Sequence, residues 1–152
     1  MPTPDNIFHI GIIVKNMEDG MADVGQRWGV TFPAPSPFTV HVRLADGSER
    51  DISSRFVYSR QGPPFLELIE AVPGTVWEFS EGSQLHHVGV WVDDLEAEIA
   101  ELTSDGSSVL EMASLTPEGK IFGVCYINNG SHIRLEIVPS AIKPPILAMT
   151  QA

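Results

Sequence analysis

Two histidines and two glutamates stand out for where they fall in the chain. His9 and His87 each open an apolar, strand-like run in the pattern His-x-Gly, and Glu67 and Glu136 each interrupt one, in Phe-Leu-Glu-Leu-Ile and Arg-Leu-Glu-Ile-Val. An ionised carboxylate buried without a partner costs several kcal/mol, so a mid-strand Glu must be exposed, protonated or facing a cation. Taken singly, each residue has a plain reading. A lone strand His is more often a hydrogen-bonded core or rim residue, and a lone mid-strand Glu is more often solvated on the open face of a sheet. Recurrence of both types at equivalent places decides for the cation. Two nitrogen and two oxygen donors suit one divalent metal ion, of the Zn, Ni, Co, Fe or Mn kind.

The equivalence rests on an internal repeat. With His9 laid on His87 the register continues without gaps: Gly11 meets Gly89, Val14 meets Val92, Asn16 meets Asp94, Glu18 meets Glu96, Met21 meets Ile99 and Ala22 meets Ala100. Each copy begins with a strand, Ile7 to Val14 and His86 to Val92, rich in β-branched residues. A helix follows. Asn16 is the expected N-cap of the first, whose apolar face is Met17, Met21, Val24 and Trp28; Asp93 or Asp94 caps the second, with Leu95, Ile99 and Leu102. Gly29 and Gly106 stand where helix C-caps belong. Three strand-like runs complete each copy: 38–44, 52–58 and 64–72 in the first, 108–112, 121–128 and 131–138 in the second. Ala-Asp-Gly-Ser at 45–48 and Asn-Asn-Gly at 128–130 are hairpin signals. The expectation is a single α+β domain of two βαβββ modules, 7–72 and 85–138, with a connector at 73–84 and a tail at 139–152 whose order the sequence does not decide.

Composition narrows the partners. The chain has 152 residues, 43% of them hydrophobic, which is enough to bury one core. Nine Lys plus Arg against twenty Asp plus Glu give a net charge of −11, which repels phosphate backbones and anionic membranes. No nucleic-acid or membrane partner is expected. An anionic small substrate stays open, because a bound cation overrides the mean field locally. A single cysteine excludes an internal disulfide, the N-terminus lacks a signal-peptide pattern, and no apolar run approaches the ~20 residues of a membrane helix. The expected compartment is the cytoplasm.

Other residues have weaker claims. His132 and Arg134 share a strand face with Glu136 and could contact an anionic substrate group; an exposed ion pair is the plain alternative. Trp77, Phe79 and Trp91 either line a cavity or fill the core, and Trp91 is taken as a substrate contact. His86 alternates away from His87 and reads as structural, His41 as a surface residue, and Cys125 as a buried inert thiol.

The paired modules, each opened by His-x-Gly and closed by Leu-Glu, resemble the vicinal oxygen chelate superfamily, which includes glyoxalase I, methylmalonyl-CoA epimerase, extradiol dioxygenases and metal-free antibiotic-resistance proteins. Leu-His-His-Val-Gly-Val-Trp-Val-Asp-Asp-Leu at 85–95 is the most specific stretch, and Asn-Gly-Ser-His-Ile-Arg-Leu-Glu-Ile is similar to the family's final hairpin. The resemblance implies a curved mixed sheet around a central cavity, a metal held by His9, Glu67, His87 and Glu136, and catalysis by Glu136 or Glu67. It further implies a metal-dependent lyase or isomerase, glyoxalase I-like or CoA-thioester epimerase-like, acting next to a small-molecule carbonyl or thioester, and a homodimer. Two His and two Glu differ from the dioxygenase set of two His and one Glu. The epimerases usually carry Gln in place of Glu67 and a further carboxylate in the first module, for which Glu49 and Asp51 are the nearest candidates. The alternative is a metal-free protein that binds a small molecule in the same cup.

Overall fold

The computed structural model describes residues 1–131 and 133–152. Its order is β1 (Ile7–Val14), α1 (Met17–Trp28), β2 (Ser36–Leu44), β3 (Glu49–Tyr58) and β4 (Phe65–Glu70), then β5 (Leu85–Val92), α2 (Leu95–Leu102), β6 (Val109–Leu115), β7 (Ile121–Asn128) and β8 (Arg134–Pro139). Helix α3 (Lys143–Met149) ends it.

The eight strands form one curved mixed sheet closed on itself, in the order β1-β4-β3-β2-β6-β7-β8-β5. Each half runs through the same sequence of neighbours: β1 lies parallel to β4 and β5 parallel to β8, with the remaining intramodule pairs antiparallel. Two antiparallel seams join the halves, β1 to β5 and β2 to β6.

Local chemistry sets the helices. The Asn16 side chain accepts a hydrogen bond from the Asp19 amide at 3.0 Å, and Gly29 ends α1 at a φ of 65°, which an L side chain adopts reluctantly. Asp94 caps α2 through the Ala97 amide. Gly106 is not its C-cap: α2 stops at Leu102, where the Thr103 hydroxyl donates to the Ile99 carbonyl at 2.7 Å and closes the last turn. Along α1 the apolar face is used as far as Val24, and Trp28, the last helical residue, is 67% exposed.

Both helices cover the outside of the sheet. Met17 and Val24 pack with Val57, Leu66 and Leu68 under α1, and Leu95 packs with Val90, Cys125 and Ile137 under α2. A third cluster, including Ile13, Val42, Ile69, Met112 and Tyr126, fills the inside. Buried on both faces, β4 is buried without interruption from Phe65 to Ile69, which is why its sequence shows no alternation.

The β1–β5 seam explains His-x-Gly. His9 lies opposite Gly89 and Gly11 opposite His87, so each glycine faces the histidine of the other half. A Cβ on Gly11 would sit 2.0 Å from the His87 ring, and one on Gly89 2.0 Å from the His9 ring. Each imidazole occupies the space its partner glycine leaves. Overpacking there should destabilise Gly11→Ala and Gly89→Ala by about 1–3 kcal/mol each. Urea unfolding tests this against Gly82→Ala, where nothing lies within 4 Å and no change is expected.

Candidate metal centre

The strand register brings His9, Glu67, His87 and Glu136 to one point inside the sheet. Glu67 on β4 pairs with Gly11 of β1, and Glu136 on β8 pairs with Gly89 of β5, so both carboxylates flank the seam. Both imidazoles are fully buried, with Glu67 and Glu136 at 6% and 3% exposure. The two Nε2 atoms are 2.8 Å apart. His87 Nε2 lies 3.0 Å from Glu67 and 3.1 Å from Glu136; His9 Nε2 lies 3.2 Å from Glu67 and 3.3 Å from Glu136. Adjacent donors around an ion bonded at 2.0–2.1 Å sit about 2.8–3.4 Å apart, so this N2O2 set has the spacing of a coordination shell. These four residues could hold one divalent ion.

Without an ion, a proton can hold the cluster together. Burial works hardest on His9 and disfavours its charged form, but Glu136 and Glu67 together outweigh it and its pKa is pushed up to about 10. Burial likewise opposes ionisation of Glu67, yet His9 and His87 hold its carboxyl well below the usual range. His9 must give up this proton before its Nε2 can serve as a ligand.

The two histidines differ in what lies behind them. His86 Nε2 is 2.7 Å from the Val76 carbonyl, and since a carbonyl only accepts, Nε2 carries the proton. Burial, then His87, push the His86 pKa down to about 3, so the ring is neutral and its Nδ1 is a bare acceptor. That Nδ1 is 2.8 Å from His87 Nδ1, which must therefore donate; in the neutral ring that a metal ligand requires, the Nε2 lone pair then points into the cluster. The expectation that His86 turns away from His87 is corrected here: the ring folds back because the connector places Val76 as its acceptor. In the first half the matching residue is Phe8, edge-on to His9 at 4.3 Å, and His9 Nδ1 has no partner among the described residues.

Two residues absent from the sequence-level site complete the centre. Tyr58 is the register partner of Glu67 and Tyr126 that of Glu136. Burial, reinforced by the carboxylates, pushes both phenols well up, so both stay protonated beside the facing Glu. Trp77 Nε1 donates to the Tyr126 hydroxyl at 2.8 Å and holds the phenol in place. The signal was available, since each Tyr stands in the penultimate strand of its copy.

Above the carboxylates lies a cavity of about 210 Å³. Phe38, Val40, Phe56, Ile69, Met112 and Val124 form its walls, and Ile146 and Met149 of α3 close over it, so the tail is an ordered part of the site. Trp77 also lines it, while Phe79 packs against the inner core. Neither Arg134 nor Trp91 faces this space. The Arg134 guanidinium is engaged by both oxygens of Glu111, at 2.6 and 2.9 Å, over a separate depression, and Trp91 is stacked on Phe8 at 3.6 Å. His132 lies outside the described residues. Glu49 and Asp51 are held by His41 on the outer surface, and Cys125 is buried, with its thiol pushed up to about 12.

A mixed sheet of two like halves closed around a buried His/Glu cluster defines the class. The family model described as Glyoxalase/Bleomycin resistance protein/Dioxygenase superfamily matches residues 8–126. The chain belongs to that superfamily. Among solved structures it is similar to a variant of Streptomyces coelicolor methylmalonyl-CoA epimerase (15% identity, 93% of this chain and 99% of that chain covered, TM-score 0.59). It is also similar to methylmalonyl-CoA epimerase from Mycobacterium tuberculosis (17%, 93% and 91%, 0.57) and to a hypothetical protein from Bacillus halodurans (17%, 88% and 93%, 0.53). A search of curated proteins found no match.

Two outcomes follow. His86→Phe should weaken Co2+ binding about 10- to 100-fold, whereas His86→Gln, which can donate to Val76 and accept from His87, should keep it within a few-fold; chelator competition measures both, and nitrogen NMR of His87 reads the tautomer. For the metal-free protein, His9 contributes stability that is full below pH 6.5 and is lost as pH rises through about 10. His86, with its depressed pKa, contributes stability present above pH 6.5 and lost as pH falls through about 3. Urea unfolding across this range should place the contribution of the pair at a maximum near pH 6.5, with His9→Gln flattening the alkaline limb.

Proposed function

We propose that this protein is a metal-dependent isomerase or lyase that removes a proton from the carbon next to a carbonyl or thioester and returns it to the opposite face or to the neighbouring carbon. The observation that carries the reading is the convergence of His9, Glu67, His87 and Glu136 on the floor of an otherwise apolar cavity. His9, Glu67, His87 and Glu136 would hold a divalent ion, which would supply the positive charge that polarises a carbonyl oxygen and acidifies the adjacent C–H. Glu67 and Glu136 both face the cavity, and either can accept that proton and give it back. Tyr58 and Tyr126 stand beside these carboxylates as register partners, while the aromatic walls exclude water that would otherwise exchange with the transferred proton. The similar Streptomyces coelicolor protein was solved with 2-nitronate-propionyl-CoA and another epimerase with methylmalonyl-CoA, which supports thioester α-carbon chemistry on this scaffold.

One observation favours a second reading. The four donors satisfy one another through the His9 proton, as a metal-free binding protein would require. Metal analysis of the purified protein separates the two. A stoichiometric divalent ion, lost on His87→Ala, is expected, and failure to bind any such ion overturns the proposal in favour of the second reading. With metal present, α-proton exchange of thioesters and hemithioacetals in deuterated water should cease on chelation. Glu67→Gln and Glu136→Gln rank the carboxylates: removing the base should lower exchange about 100- to 10,000-fold in protein that still holds the ion.

A further inference from the structure

The cavity above the metal centre carries information about charge. Its polar lining consists of Glu67, Glu136, the two phenols and the Trp77 indole; no Lys or Arg is among the described lining residues. The nearby cations are engaged elsewhere, Arg134 by Glu111 and Lys143 over the Trp91 ring at 5.8 Å. The roof is Ile146 and Met149.

The donor set closes the balance. Two carboxylates exactly offset the charge of one divalent ion, and the imidazoles add none, so the loaded centre is neutral. Without an ion, the two carboxylates offset at most two imidazolium charges, so the cluster again offers no net positive charge. In neither state does the floor offer net positive charge, and the walls of Phe38, Val40, Phe56, Ile69, Met112 and Val124 are apolar. A substrate carboxylate would lose its water in exchange for nothing that compensates its charge.

Resting on the carbonyl chemistry proposed above for this site, we infer that the group held next to the reacting carbon is uncharged, an alkyl- or aryl-substituted keto or acyl group, and that the cavity rejects substrates bearing a second carboxylate there. Methylmalonyl-CoA carries a carboxylate on that carbon and belongs to the rejected class.

The test uses two N-acetylcysteamine thioesters that differ by a methyl group in place of a carboxylate oxygen: 2-methylacetoacetyl and methylmalonyl. Calorimetric titration into the Co2+-loaded and the metal-free full-length protein should show at least tenfold tighter binding of the neutral thioester in both forms. Glu67→Gln, which leaves the loaded centre with net positive charge, should shift the ratio at least tenfold toward the carboxylated probe. Equal or tighter binding of the methylmalonyl thioester by the unsubstituted protein, or binding of neither, overturns the inference. Selective binding of the neutral probe without α-proton exchange leaves the inference standing and overturns the proposed reaction.

Discussion

The seam between β1 and β5 is the constraint on which the site depends. There two strands from different halves run antiparallel, and each carries a histidine opposite the other's glycine. Two rings on facing positions of an ordinary ladder would collide or be turned outward. The glycines let both rings lie within the sheet's interior with their Nε2 atoms 2.8 Å apart. The parallel pairs β1–β4 and β5–β8 then deliver one carboxylate from each side. Neither half alone assembles the four donors, so the centre is a property of the duplicated sheet.

Such a centre is costly to bury, and the surrounding structure shows how the cost is met. Ionisable groups withdrawn from water persist only when paired and hydrogen-bonded. The four donors compensate one another, the phenols of Tyr58 and Tyr126 face the carboxylates, and Trp77 fixes one phenol. Trp77 reaches that position because Thr75 closes a turn in the connector, accepting from the Trp77 amide and donating to the Val72 carbonyl. The connector is thereby part of the site.

Much of this was legible in the sequence because duplication writes each feature twice. The His and Glu positions, the caps at Asn16 and Asp94 and the strand β7 could be read from local pattern and confirmed against the other copy. What could not be read depends on distances that only closure of the sheet creates. Arg134 shares a strand with Glu136, but its side chain is taken by Glu111 from β6, a partner no local pattern names. Trp91 alternates with His87 and Gly89, yet the irregular register of β1 brings Phe8 against it. The roof is invisible for the same reason. Ile146 and Met149 belong to a seven-residue helix outside the repeat, and only the cavity mouth gives their positions meaning.

The breaks in the duplication say more about the site than its symmetry does. At the position before each ligand histidine one copy has His86 and the other Phe8. The first fixes the tautomer of His87 through a chain that ends on the Val76 carbonyl, so the His87 lone pair is committed to the cluster. The second offers only a ring edge, and His9 keeps the freedom to carry a proton between the two carboxylates. The asymmetry fixes the orientation of the His87 ring and leaves His9 Nδ1 without a partner among the described residues. The phenols repeat the pattern: Tyr126 is oriented by Trp77, while among the described contacts no indole orients Tyr58. Glu136 therefore sits beside a phenol held by an indole, and Glu67 beside one that no described indole holds.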